Sequence, residues 1–423
     1  MIKKLRIMMP FMKKHFSQGS VARNTLLTSN VLLLRLFLQA STLIVLAKTL
    51  GASSFGIFAG LSAAAVLSGS LSTLGMHFII LKASAGDQGK SRSIVAEYAL
   101  WTTLVAGILM LLLYLFALSL INLGANLHTV IALGIAETVI QPFILLSCME
   151  YQARNQIARS QIILTLPIAL RCASVFFLAA WPNENVESTY AGLYLASSVI
   201  SLFVAIKLQP GKWPGPKYWR RPTMAEVKSA SGFAVQSATT IGPSEADKTV
   251  AAKLLTADIA GHYSLSARLI SAATLPVMAL MISVMPSLFG EKDRSAAKQK
   301  TLAIFTASGL YGLLLAATTW HAAPLLSLAF GSEYAYLSEI LPYLSVFSIS
   351  LSLRISGTTI LTTQSMPLYR SAIEGIGVTL LILLAVTLLP KHGVMGLCIA
   401  VTASETTMAA IAWITLIMRS KNE

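Results

Sequence analysis

Apolar residues along this chain neither alternate nor keep to one face of a helix; they run on for about twenty residues at a time. A hydrocarbon core about 30 Å thick asks for that length of helix at about 1.5 Å rise per residue. Twelve such segments are predicted: 24–48, 55–81, 95–121, 128–149, 160–181, 189–207, 231–254, 262–289, 301–324, 339–363, 370–390 and 394–418. A membrane β-barrel would instead show shorter stretches of strict alternation. Gly242-Pro243, Pro276 and Pro286 fall inside segments, where neighbouring helices can satisfy the backbone groups they free. The expected fold is an all-α polytopic membrane protein of about twelve transmembrane helices, in two six-helix bundles around a central cavity.

Composition agrees. Of 423 residues, 55% are hydrophobic and only 12% are charged, against about 25% charged in soluble domains. The net charge of +15 raises the question of nucleic acid, and its placement answers it. Positive residues collect in alternate loops: Lys82, Lys90 and Arg92, then Arg154 and Arg159, then Lys207 to Lys228, then Lys292 to Lys300. The intervening loops hold only Lys48 and Lys391. This is the positive-inside pattern, so the charge orients the chain and no nucleic-acid partner is expected. We term the Lys/Arg-rich side the basic face and the opposite side the far face. The expected topology is multi-pass, with both termini and the basic face cytoplasmic. The basic stretch 1–23 is expected to be a cytoplasmic segment and not a cleaved leader, because the first apolar run is long and has Arg35 in its middle. Cys148, Cys172 and Cys398 all lie inside apolar segments, which argues against a disulfide framework or a metal site. No cofactor is expected.

The longest polar connection, with Pro210, Pro214, Pro216 and Pro222, divides the chain. The expected organisation is an N-terminal bundle over 24–208, a cytoplasmic linker over 209–230, a C-terminal bundle over 231–418 and a tail over 419–423. Internal similarity supports a duplication. Ala47-Lys48-Thr49-Leu50-Gly51-Ala52, with Gly56 and Phe58, is matched position for position by Ala252-Lys253-Leu254-Leu255-Thr256-Ala257, with Gly261 and Tyr263. Arg159-Ser160-Gln161-Ile162 is echoed by Arg370-Ser371-Ala372-Ile373 at the start of the equivalent fifth segment. Repeats of this kind are typical of secondary transporters, with substrate held between the halves.

Six basic residues lie within segments: Arg35, Arg171, Lys248, Lys253, Arg268 and Arg354. A central Arg costs about 2.5–3.5 kcal/mol on insertion scales, so these groups must face an aqueous interior or an acid. Helical spacing places Thr28, Arg35, Gln39 and Thr42 on one stripe. Gln236, Thr240, Ser244 and Asp247 form a second, and Ser350, Arg354 and Thr358 a third. The substrate-binding candidates are Arg35, Arg171, Arg268, Arg354, Lys248 and Gln39. Glu137, Glu245, Asp247 and Glu405 are candidate partners for the cations, and Glu137, Asp247 and Glu405 are also candidates for ion coupling. Glu97 and Glu374, near segment ends, are expected at the interface. The balance predicts a cationic cavity suited to an anionic cargo, since Arg binds phosphate in a bidentate manner.

Three stretches resemble the Wzx-type oligosaccharide flippases, in the polysaccharide-transporter branch of the multidrug/oligosaccharidyl-lipid/polysaccharide exporter superfamily. They are Leu46-Ala47-Lys48-Thr49-Leu50-Gly51 with Phe55-Gly56-Ile57-Phe58; Asp247-Lys248 through Gly261-His262-Tyr263 to Ala267-Arg268-Leu269; and Phe330-Gly331-Ser332-Glu333-Tyr334. The chain departs from the family where Glu245-Ala246 precedes Asp247, a place where a basic residue is common. The resemblance implies a bacterial inner-membrane protein that translocates a lipid-linked (undecaprenyl-pyrophosphate) oligosaccharide for surface polysaccharide biosynthesis (lipopolysaccharide O-antigen, capsule or exopolysaccharide). Its implied partners are that substrate, membrane lipids, a polysaccharide polymerase and a chain-length regulator. A multidrug antiporter of the same superfamily is the first alternative, and a membrane-bound polysaccharide polymerase or ligase the second.

An enzyme is not expected. There is no Gly-Lys-Ser/Thr phosphate loop, and His262, His321 and His392 have no Cys/His or Ser/His/Asp company, so no catalytic residue is assigned. Arg35→Ala and Arg354→Ala are each expected to abolish polymer export without lowering protein abundance.

Overall fold

The computed structural model describes residues 18–86, 90–121, 124–154, 156–181, 185–289, 294–363 and 366–422. The basic N-terminal stretch up to residue 17, Lys292 and the last residue of the tail lie outside the described residues. Among the described residues every regular element is helical. The first half comprises α1 (Gln18–Leu71), α2 (Met76–Gly86), α3 (Lys90–Ile121) and α4 (Leu127–Gly134). A π-helical turn, Ile135–Ile140, leads into α5 (Gln141–Ala153), followed by α6 (Ile157–Ala180) and α7 (Val186–Leu208). The second half comprises α8 (Met224–Leu254), α9 (Ala257–Ala273), α10 (Leu275–Phe289), α11 (Arg294–Phe330), α12 (Leu337–Thr363) and α13 (Pro367–Asn422).

Nine described helical stretches are long and apolar enough to cross a bilayer. Two of them, in α1 and α13, each contain two spans joined at a glycine corner. Gly51 sits at φ 73° and Gly393 at φ 56°, where a Cβ is strained and glycine is not. The remaining expected span is α8, whose Gln, Ser, Thr, Glu, Asp and Lys side chains make it the most polar of the long helices. It begins at Met224, earlier than the expected 231, on a capping box: the Thr223 amide donates to Glu226 Oε2 (2.7 Å), and Thr223 Oγ1 accepts from the Glu226 amide (3.4 Å).

Within the first half α1 packs on α6, and α6 on α7; within the second, α12 packs on both α11 and α13. The halves meet where α1 contacts α8 and α9. The main core cluster crosses that boundary, joining Leu46, Phe55 and Phe58 to Tyr263, Tyr334 and Leu344. Outward-facing Leu33, Leu34, Phe37, Leu112, Leu113 and Phe116 are exposed, as lipid-facing side chains should be.

The linker is strapped to the first half. Glu150, at the end of α5, accepts from Arg92 Nη2 (2.6 Å) and from Trp213 Nε1 (3.0 Å), and Arg92 also donates to the Gly211 carbonyl (3.0 Å). Trp219 stacks on Phe143 at 6.3 Å.

Candidate functional site: a cavity between the halves

A cavity of about 410 Å³ lies between the halves, toward the basic face. The first half contributes Ser70, Thr73 and His77 from the end of α1 and the start of α2, and Glu137 and Gln141 from the π turn and α5. The second contributes Gln236, Ser237 and Thr240 of α8 and Arg370 of α13. Its size falls in the range of about 300–1,000 Å³ usual for ligand sites.

Local breaks in helical geometry aim these side chains inward. Between α1 and α2 the chain bends through Leu74 (φ 44°) and Gly75 (φ 79°), and Thr73 Oγ1 and His77 Nδ1 then lie 2.8 Å apart. In the fourth span, Pro142 has no amide to offer the Thr138 carbonyl one turn back. The helix widens there into the π turn that carries Glu137, the sort of bulge that recurs at functional sites.

Glu137 uses one oxygen for its partners: Oε1 accepts from Arg171 Nη2 (3.0 Å) and from the Tyr194 hydroxyl (2.5 Å). Arg171 also donates to Ser198 Oγ (2.9 Å) and lies over the Tyr194 ring, 3.4 Å from its centroid. In the second half, Arg354 Nε pairs with Glu405 Oε2, and its Nη1 lies 3.9 Å from Glu374. Glu374 also accepts from Arg370 Nε (3.0 Å) and stands 3.4 Å from the Thr240 hydroxyl. Asp247 holds Lys248 Nζ (3.0 Å) on one oxygen and the Tyr263 hydroxyl (2.9 Å) on the other. Arg268 reaches Glu245 (3.7 Å) and, across the boundary between halves, Ser62 Oγ (3.3 Å).

Each of the four acids proposed as partners therefore has a cation within ion-pair distance. Arg171, Lys248, Arg268 and Arg354 are all neutralised, and the expected cationic cavity is instead close to neutral. Sequence counts charges along a segment, whereas neutrality depends on which segments touch. Arg35 differs: half-buried on α1 beside Cys148 of α5, it has no acidic partner among the described residues. Gln39, one turn on, is exposed. Of the three coupling candidates only Glu137 lines the cavity; Asp247 and Glu405 are fully buried. Glu374, expected at the interface, is fully buried too, because Arg354 and Arg370 both reach it. Thr73, His77, Gln141 and Arg370 were not among the candidate site residues, and Gln236 and Thr240 entered only as part of a polar stripe. The i, i+4 spacing of Thr73 with His77, and of Gln236 with Thr240, was the available signal.

No protein-family model and no curated protein matches the sequence. The fold, however, is shared with solved transporters. An inward-facing multidrug resistance MATE family transporter of the MOP superfamily superposes with TM-score 0.69 at 14% identity, covering 91% of this chain and 94% of that one. An outward-facing one gives 0.62 at 15% identity, over 94% and 95%. A MOP superfamily transporter from Pyrococcus furiosus, described as having a binding pocket of reversed polarity that suggests a different function, gives 0.64 at 16%, over 94% of both chains. At these identities the likeness is one of fold. The chain shares the fold of those proteins, a multi-pass arrangement of helices in two bundles.

Proposed function

We propose that the chain is a flippase that carries a lipid-linked (undecaprenyl-pyrophosphate) oligosaccharide across the bacterial inner membrane, for surface polysaccharide assembly. The observation that carries this reading is the chemistry of the cavity wall. Gln141, Gln236, Ser70, Thr73, Ser237 and Thr240 present amides and hydroxyls, while Glu137 and Arg370 already have partners. Such a wall can donate to and accept from sugar hydroxyls without a charge to be matched. Export of cationic drugs calls for an uncompensated acid, and Glu137 is occupied by Arg171. Arg35, which stands outside the cavity wall and has no acid beside it among the described residues, suits the pyrophosphate. The cargo enters from the cytoplasm and leaves as the bundles rock about the cavity, and a polysaccharide polymerase and chain-length regulator receive it.

Flipping in proteoliposomes tests this. With an NBD-labelled undecaprenyl-pyrophosphate oligosaccharide, added dithionite should quench the inner-leaflet pool only when the protein is present. Ethidium should not be transported. Ethidium efflux without flipping would reverse the assignment in favour of multidrug export. For energy, Glu137 is the coupling acid we favour, because it alone of the three candidates meets the cavity. Equal flipping rates with and without a pH gradient would eliminate it.

A further inference from the structure

At the far face the two halves touch backbone to backbone. A methyl group on Gly56 would overlap the Ala257 carbonyl oxygen, and one on Gly261 would overlap the Ala52 carbonyl oxygen. These are the same contact made twice, because Gly56 and Ala52 are the repeat equivalents of Gly261 and Ala257. Both overlaps lie far inside the 3.4 Å at which ordinary contact begins. One turn deeper, a methyl on Gly60 would strike the Ala252 side chain, while the Ala252 Cα stands clear at 3.6 Å. Gly56 and Gly60 thus form the small-x-x-x-small spacing that lets membrane helices approach closely. Further out, the Tyr334 hydroxyl donates to the Ala47 carbonyl (2.9 Å), and the Glu333 carbonyl is held 2.9 Å from His262 Nε2.

We infer that this reciprocal glycine seam is the far-face gate, and that its closeness sets the balance between the state open to the basic face and the state open to the far face. The cavity and the seam occupy opposite ends of the same boundary, formed by α1, α8 and α9. Transport across the bilayer requires the seam to part. It is held by backbone proximity and few polar bonds. An opening of about a methyl group's width removes most of its dispersion contact, so the seam is either closed or lost. The duplicated sequence around it follows from the duty: each half must supply one glycine and one exposed carbonyl.

The purpose of the gate rests on the transport reading, but its existence does not, and the measurement needs no cargo. With the native cysteines replaced by alanine, nitroxide labels at exposed Lys48 and Leu254 report the separation of the halves in nanodiscs by pulsed electron resonance. Gly60→Ala is expected to shift the distance distribution to longer values, and Gly56→Ala further still. Gly60→Ala with Ala252→Gly removes the clashing methyl and should restore the wild-type distribution. Gly192→Ala, where a methyl meets only His128 at ordinary contact (3.5 Å), should leave it unchanged. A folded Gly60→Ala protein with the wild-type distance would overturn the inference. So would a shift that Ala252→Gly fails to reverse. Should Gly56→Ala fail to fold, the Gly60/Ala252 exchange still decides. If the seam behaves as stated and oligosaccharide flipping is absent, the gate stands and the cargo assignment falls.

Discussion

Each half of the molecule buries an arginine–glutamate cluster among its helices, and the two clusters are not equivalent. Glu137 borders the cavity and spends only one oxygen on Arg171 and Tyr194. Arg354 lies between Glu405 and Glu374, both fully buried, with Arg370 closing the group. In the first cluster the acid itself lines the cavity, whereas in the second only Arg370 does and both carboxylates lie behind it. Like residue types at like depth therefore divide into a group that can exchange partners and a group that holds α12 and α13 together. Depth in the membrane shows that a charge needs a reason; access shows which reason.

The largest effect should come from breaking the closed cluster. Arg354→Ala leaves the buried Glu405 carboxylate without its cation, while Glu374 keeps Arg370, and should cost about 3–5 kcal/mol, read as lower abundance and a fall in melting temperature in detergent. That reverses the expectation drawn from sequence, in which Arg354→Ala removed export alone. Glu137→Gln comes next. Arg171 keeps Ser198 and the Tyr194 ring, so the stability loss should be about 1–2 kcal/mol, while flipping in proteoliposomes falls at least tenfold. A mutant that flips normally would mark this cluster as structural as well. Arg35→Ala separates binding from folding most cleanly. It removes a cation with no acidic partner among the described residues, so the melting temperature should hold or rise while flipping falls several-fold.

The smallest effect belongs to the water-exposed pair at the linker. Hydrogen bonding from Arg220 holds the Glu226 carboxyl down to about 2, well below the usual 4.5. The folded value is the lower one, so its contribution is present above the ordinary value and is lost as pH falls through about 2. With both partners partly exposed, Glu226→Gln should cost under about 1 kcal/mol, visible as a melting difference from the wild type at pH 6 that closes by pH 2.

Much of the fold was legible because the bilayer imposes it locally. Span length, the segment ends at 48 and 390, and the polar seventh segment follow from hydrocarbon thickness and residue type along a contiguous stretch, whereas the corners at Gly51 and Gly393 showed only in the backbone. The repeat in 47–58 and 252–263 was legible for the same reason, although its meaning was not: that Gly56 and Gly261 interlock depends on how the halves approach. The candidate acids and cations were legible one by one. Which of them neutralise each other was not, because Arg171 and Glu137, or Arg354 and Glu405, are distant in sequence and adjacent only after the helices pack. The cavity was out of reach for the same reason, since its wall is assembled from α1, α2, the π turn, α8 and α13. Sequence by itself determined where the chain crosses the membrane and which residues are costly there. Only the tertiary structure decided which of those costs are cancelled, because electrostatic compensation acts over a few ångströms through space and not along the chain.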